Sequence, residues 1–187
     1  EEILARILGL DRQNIARTEQ NVSASLVKEA VEHLCGARHL YVLGLRSSYA
    51  LAFYLAFYLR FFLSNVTLIE PGVGDIPEQV LEAGEEDVLV SLSFKRYTRE
   101  TVELTQKIKN RGVTSIAITD SGLSPVAETA DLKLVSPTQI PTFFESYTAP
   151  MSLINALLTA IAIRLEEQSM AALNRMESVF REFGTYY

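Results

Sequence analysis

The sequence predicts an α/β fold, a three-layer sandwich with a five-stranded parallel sheet and helices on both faces. Three observations predict it. Short apolar runs such as Val88-Leu-Val-Ser-Leu92 are continuous rather than alternating, as strands covered on both faces require. Segments with apolar residues at helical spacing separate these runs, so strand and helix alternate and right-handed βαβ units follow. Three of the runs end in turns bearing Ser, Thr or Asp, at 44–48, 93–98 and 119–121, along the sheet edge where such folds bind ligands.

In chain order, residues 1–34 read as helical. Ile3, Leu4, Ile7 and Leu8 form a short apolar patch, and Ile15, Val22, Leu26, Ala30, Val31 and Leu34 a longer stripe; Gly9 and Asp11 mark a break, with Asp11 as the expected N-cap. His39 to Gly44 is the first strand. Leu45-Arg-Ser-Ser48 then leads into an aromatic helix over 49–63. Val66 to Ile69 is the second strand, and after Pro71-Gly-Val-Gly74 a helix is opened by Asp75 with Glu78 three residues on, a capping-box pattern. The strand at 88–92 runs into a polar loop, where Thr98 is placed to cap a helix carrying Val102, Leu104 and Ile108, and Gly112 closes that helix. Val113 to Thr119 is the fourth strand. Ser124 as N-cap and Pro125 at the first helical position open a short helix before the last strand, Leu132 to Val135. Thr142-Phe-Phe-Glu-Ser-Tyr-Thr148 leads to a long apolar helix that turns charged at Arg164-Leu-Glu-Glu167, and a final amphipathic helix carries Met170, Leu173, Met176, Val179 and Phe183.

The bulk numbers suit one globular domain: 187 residues, 48% hydrophobic and 21% charged. With 17 basic and 23 acidic residues the formal charge is −6, so nothing global draws the chain to nucleic acid or to an anionic membrane. Cys35 is the only cysteine and has no internal partner. With no signal-peptide pattern at Glu1-Glu2-Ile3, a cytoplasmic location is expected, and a start at Glu1 is compatible with a fragment. The 49–63 segment is too short for a membrane span of about 20 residues and contains Arg60. Its aromatic residues ring more of the helix than one sheet contact covers, which points to a subunit interface.

Free N–H groups, hydroxyls and cations meet at the helix start after residue 93, which is an anion site in outline. The candidate ligand-binding residues are Arg46, Ser47, Ser48, Ser93, Lys95, Arg96, Thr98 and Glu145. Hydroxyl residues also cap helices everywhere, and Lys95 and Arg96 also read as a solvated loop pair. His33 and His39 lie away from this edge, Cys35 reads as packing, and no metal-ligand spacing occurs, so neither metal nor cofactor is expected.

The order Gly44-x-x-x-Ser48, Ser93-x-x-x-x-Thr98, Ile118-Thr-Asp-Ser121 and Ser124-Pro-x-Ala127, each on its strand-to-helix turn, resembles the sugar isomerase (SIS) domain, a flavodoxin-like fold. Thr98-Arg-Glu-Thr-Val-Glu, the Ile-Thr-Asp-Ser loop and the tail from Arg181 are similar to the ligand-sensing domain of RpiR-type bacterial transcription regulators. The resemblance runs from about Ala37 to the C-terminus. It implies a linker and N-terminal helices over 1–34, a SIS domain over 35–187, and a helix-turn-helix domain left out of this chain. It further implies a phosphorylated sugar as effector, a homodimer or homotetramer, and contact with DNA only through the absent domain.

By that resemblance Ser48 matches the serine of a G-x-G-x-S turn, and Ser93 and Thr98 the ends of an S-x-S-G-x-T loop. Arg46 then replaces a glycine, Lys95 a serine and Arg96 the loop glycine. Loss of glycine removes backbone freedom, which displaces ligand or redirects the loop; the added cations instead favour a more anionic ligand. Glu145 resembles the Glu with which SIS isomerases abstract a proton beside a carbonyl, and reads first as an acid held by the dipole of the following helix. The expected function is thus an effector domain and not an enzyme. A sugar-phosphate aldose-ketose isomerase with Glu145 as base, or a domain that only oligomerises, are the alternatives.

Overall fold

The computed structural model describes residues 2–70, 72 and 76–185. It contains α1 (Glu2–Asn21), α2 (Ala24–Gly36), β1 (Leu40–Leu43), a 3₁₀ turn (Arg46–Ser48), α3 (Tyr49–Phe62), β2 (Val66–Leu68) and α4 (Ile76–Gln79). There follow β3 (Val88–Leu92), α5 (Arg99–Lys109), β4 (Thr114–Thr119), α6 (Pro125–Thr129), β5 (Leu132–Val135), α7 (Thr148–Arg164) and α8 (Glu166–Glu182). All strand pairs are parallel, in the order β2-β1-β3-β4-β5.

The alternating direction of strand side chains splits the core into two layers. On one face Leu40, Val42, Val88, Val90, Ile116 and Ile118 pack with Val31 and Leu34 of α2, Leu55 and Leu59 of α3, and Ile154 and Ile161 of α7. On the other, Tyr41, Leu43 and Leu89 pack with Val80, Ala83 and Ile108. Helices therefore cover both faces, and the predicted three-layer sandwich stands. No single described helix is long and apolar enough to cross a membrane.

Helix boundaries differ from expectation at the N-terminus. Gly9 and Asp11 do not interrupt α1; the break falls at Val22–Ser23, where the Ser23 hydroxyl accepts from the Leu26 N–H. Asp11 does not cap. Its carboxylate accepts from the hydroxyls of Ser146, at 2.5 Å, and Thr148, at 3.0 Å. Thr98 stands at the N-cap of α5 with extended backbone but makes no side-chain cap bond, whereas Ser124 caps α6 as expected. The expected Asp75 cap lies outside the described residues. The apolar stripe of α8 is packed only in part, on α3 and α7: Met176 is half-buried while Met170, Leu173, Val179 and Phe183 are exposed.

Gly44 and Gly112 show why two turns need glycine. A Cβ on Gly44 would stand 2.8 Å from the Ala52 Cβ and 2.9 Å from the Ser48 carbonyl oxygen, so the end of β1 approaches the start of α3 only without a side chain. Gly112, at φ +90°, ends the turn after α5 in a conformation that L side chains resist.

Candidate ligand site at the β1–β3 switch point

After β1 the chain crosses to β2 at one edge, and β3 returns on the other side of β1. The loops leaving the C-terminal ends of β1 and β3 therefore diverge, leaving the crevice where open parallel sheets bind ligands. A cavity of about 340 Å³ occupies it, at the small end of the range usual for ligand sites.

Its lining comes from three segments. The β1 loop supplies Arg46, Ser47 and Ser48; the β3 loop and the start of α5 supply Phe94, Lys95, Arg96, Thr98 and Arg99; the segment before α7 supplies Glu145 and Tyr147. Tyr147 knits the segments together, its hydroxyl 2.9 Å from the Ser47 hydroxyl and its ring 5.1 Å from that of Phe94. Tyr97, beside the cavity, has its phenol pushed up to about 12 by burial and by the adjacent, hydrogen-bonded Asp120 carboxylate, which joins the β3 loop to the β4 loop.

Two backbone conformations stand out. Arg46 and Arg96 have φ +57° and +65°, the two non-glycine residues with positive φ among those described. Each left-handed residue costs about 1–2 kcal/mol. The loops thus keep the path that glycine takes freely and add a guanidinium to it. Arg46, Lys95 and Arg96 make no ion pair or side-chain hydrogen bond with any described residue, and Arg99 reaches only Glu103, at 3.8 Å. Ser48 makes no side-chain cap bond to α3, and Thr98 none to α5. Glu145 is half-buried and is the one carboxylate in the described lining. Such a set of free cations and hydroxyls at two helix starts can hold an anion.

The structure brings Arg46, Ser47, Ser48, Lys95, Arg96, Thr98 and Glu145 to the cavity wall. Ser93 is not on that wall; it is 2% exposed, at the end of β3, with its N–H donating to the Ile118 carbonyl. Phe94, Arg99 and Tyr147 are lining residues that the sequence reading did not single out. Arg99 was signalled by its place just after the capping position, while nothing local marks Tyr147, which meets Ser47 from 100 residues away. Among the described residues no group of three His, Cys, Asp or Glu side chains is placed to hold a metal.

Comparison with known proteins finds relatives of this fold. The SIS domain model matches residues 33–160. A curated HTH-type transcriptional regulator of Caldanaerobacter subterraneus subsp. tengcongensis is 26% identical over 167 residues, 86% of this chain; the match spans 58% of that regulator. Among solved structures, the sugar isomerase domain of an RpiR transcription factor from Sphaerobacter thermophilus is 28% identical with a TM-score of 0.90, over 95% of this chain and 99% of that one. Two further structures share the fold. The Vibrio vulnificus NanR protein, complexed with ManNAc-6P, is 15% identical with a TM-score of 0.79, over 95% of this chain and 69% of that one. Phosphoheptose isomerase GmhA from Neisseria gonorrhoeae is 17% identical with a TM-score of 0.72, over 86% and 98%.

Proposed function

The chain belongs to the SIS domain family, and from that premise we propose that it is the effector-binding domain of an RpiR-type regulator, taking a phosphorylated sugar into the β1–β3 cavity. One observation carries the reading: unpartnered cations and uncapped hydroxyls line a crevice at the switch point of the sheet. The phosphosugar in the NanR complex and the regulator named among the relatives support it. In this reading the phosphate sits on the hydroxyls of Ser48 and Thr98 and the first N–H groups of α5, with the sugar toward Tyr147 and Glu145.

Occupancy has a route to a DNA reader outside this chain. The segment 136–148 that presents Glu145 and Tyr147 also holds α1. Asn14 donates to the Gln139 carbonyl at 3.0 Å, the hydroxyls of Thr18 and Ser136 lie 2.9 Å apart, and Asp11 takes the Ser146 and Thr148 hydroxyls. Ligand that favours one position of this segment favours one position of α1, a population shift. A homodimer or homotetramer completes the reading, with exposed Phe53 and Phe57 of α3 and Leu173 and Val179 of α8 as the contact surface. A monomer by sedimentation at high concentration would remove that surface from the account.

The test is the thermal midpoint against hexose, pentose and amino-sugar phosphates, each beside its unphosphorylated parent. A ligand at 100 times its Kd adds about 2.7 kcal/mol, and Ser48→Ala should reduce the shift. No shift with any phosphosugar refutes the reading. Glu145 on the same wall favours a second reading, aldose-ketose isomerisation with that carboxylate as base. Turnover of a bound phosphosugar that Glu145→Gln abolishes would establish it.

A further inference from the structure

We infer that the cavity selects a phosphosugar bearing a second anionic group, a carboxylate or a second phosphate, and that Arg46 and Arg96 select it. The inference rests on the phosphosugar reading above and narrows its ligand class.

Neutral donors already provide for one phosphate. Ser48 and Thr98 stand at the starts of α3 and α5 with hydroxyls not spent on capping, and the first N–H groups of α5 lack intrahelical acceptors, whereas at α3 the Tyr49 N–H donates to the Arg46 carbonyl. A phosphate held by these groups leaves the guanidiniums of Arg46 and Arg96 unassigned. Glu145 offers a single carboxylate to a wall that also carries Lys95 and Arg99, so it cannot pair them all.

The backbone argues that these arginines are more than solvated loop cations. A solvated cation needs no particular φ, yet both stand in the left-handed region, where glycine is free of strain and arginine is not. A loop that served only to offer N–H groups would gain nothing from a side chain there. The two positions follow neighbouring strands, β1 and β3, and reach one cavity. A planar guanidinium fork matches a carboxylate or phosphate bidentately with charge-assisted hydrogen bonds.

Calorimetric titration of the whole chain at fixed ionic strength, with glucosamine 6-phosphate, glucose 6-phosphate, 6-phosphogluconate and fructose 1,6-bisphosphate, tests this. The acid or the bisphosphate should bind at least about tenfold more tightly than glucose 6-phosphate, the gain expected of one charge-assisted contact, with the amino sugar weakest. Which of the two leads tells carboxylate from phosphate. In Arg46→Gly and Arg96→Gly that ratio should fall toward one; glycine adopts both φ values freely, so thermal midpoints report whether the variants remain folded. Equal binding across the charge series, or a ratio retained in both variants, overturns the inference and leaves the phosphosugar reading standing. Binding by none of the four overturns both.

Discussion

Replacing Asn14 by alanine should loosen α1 while leaving the sheet intact. Asn14 and Thr18 are the buried residues of α1, both polar, and the apolar residues Ile3, Leu4, Leu8 and Ile15 are exposed. The helix packs along α7 with only Ile7 and Leu10 half-buried among its apolar side chains, and its fully buried contacts are hydrogen bonds to 136–148. Asn14 is 2% exposed and its amide donates to the Gln139 carbonyl at 3.0 Å. Alanine leaves that carbonyl without its donor, a loss of about 1–3 kcal/mol. For local opening of α1 the loss shifts its opening equilibrium by a factor of about 5 to 150. Hydrogen exchange read by mass spectrometry should show α1 peptides exchanging faster by that factor, with β3 and β4 peptides unchanged. Unchanged exchange in α1, or equal acceleration in the sheet, would refute the argument that polar contacts hold α1.

Three further perturbations follow from named groups. His39 donates to or accepts from the Thr67 hydroxyl at 2.8 Å, and burial lowers its pKa below the ordinary 6.5. The unfolded chain thus takes up a proton first on acidification; His39 should leave stability intact above pH 6.5 and erode it below, and in His39→Gln urea melts should lose part of that slope. Tyr97, its phenol pushed up to about 12, should ionise well after the exposed tyrosines in an ultraviolet titration, and stability linked to it should be complete below pH 10 and lost above. Ser124→Ala removes the hydroxyl that accepts from the Ala127 N–H and from Thr119 at 2.9 Å; denaturant melts should show a loss of about 1–2 kcal/mol, and no loss would refute its capping role.

The strands were legible because a strand covered on both faces must be apolar at successive positions, and β1 and β3 lie where those runs stand. The end of α1 was not, because its signals are tertiary. Gly9 and Asp11 look like a break, but the Asp11 carboxylate is satisfied by Ser146 and Thr148, more than a hundred residues on. The loops of the candidate site were legible from their hydroxyls and cations, whereas their path was not. A glycine replaced by arginine predicts a changed loop from propensity alone; here φ values of +57° and +65° show the glycine-like path kept, with the rest of the fold holding the residues there. Tyr147 was hidden for the same reason as Asp11, since a residue that closes a cavity from another element carries no local mark.

The segment 136–148 is where these separate findings meet. It begins at Ser136, whose N–H donates to the Thr119 carbonyl at 2.7 Å, so its origin is fixed to the central sheet. It ends at α7, which is packed into the core through Leu153, Ile154 and Leu157. Between those anchors it faces the cavity through Glu145 and Tyr147 and faces α1 through Gln139 and Ser146. Phe143 and Phe144 are exposed along it, so little apolar burial resists its movement. A ligand that displaces Tyr147 from Ser47 must therefore either stretch the bonds to Asn14 and Asp11 or carry α1 with it. The helix also packs along α7, so its support on the core persists while the displacement reaches it through its buried hydrogen bonds to 136–148, and the proposed signal leaves the cavity by that path.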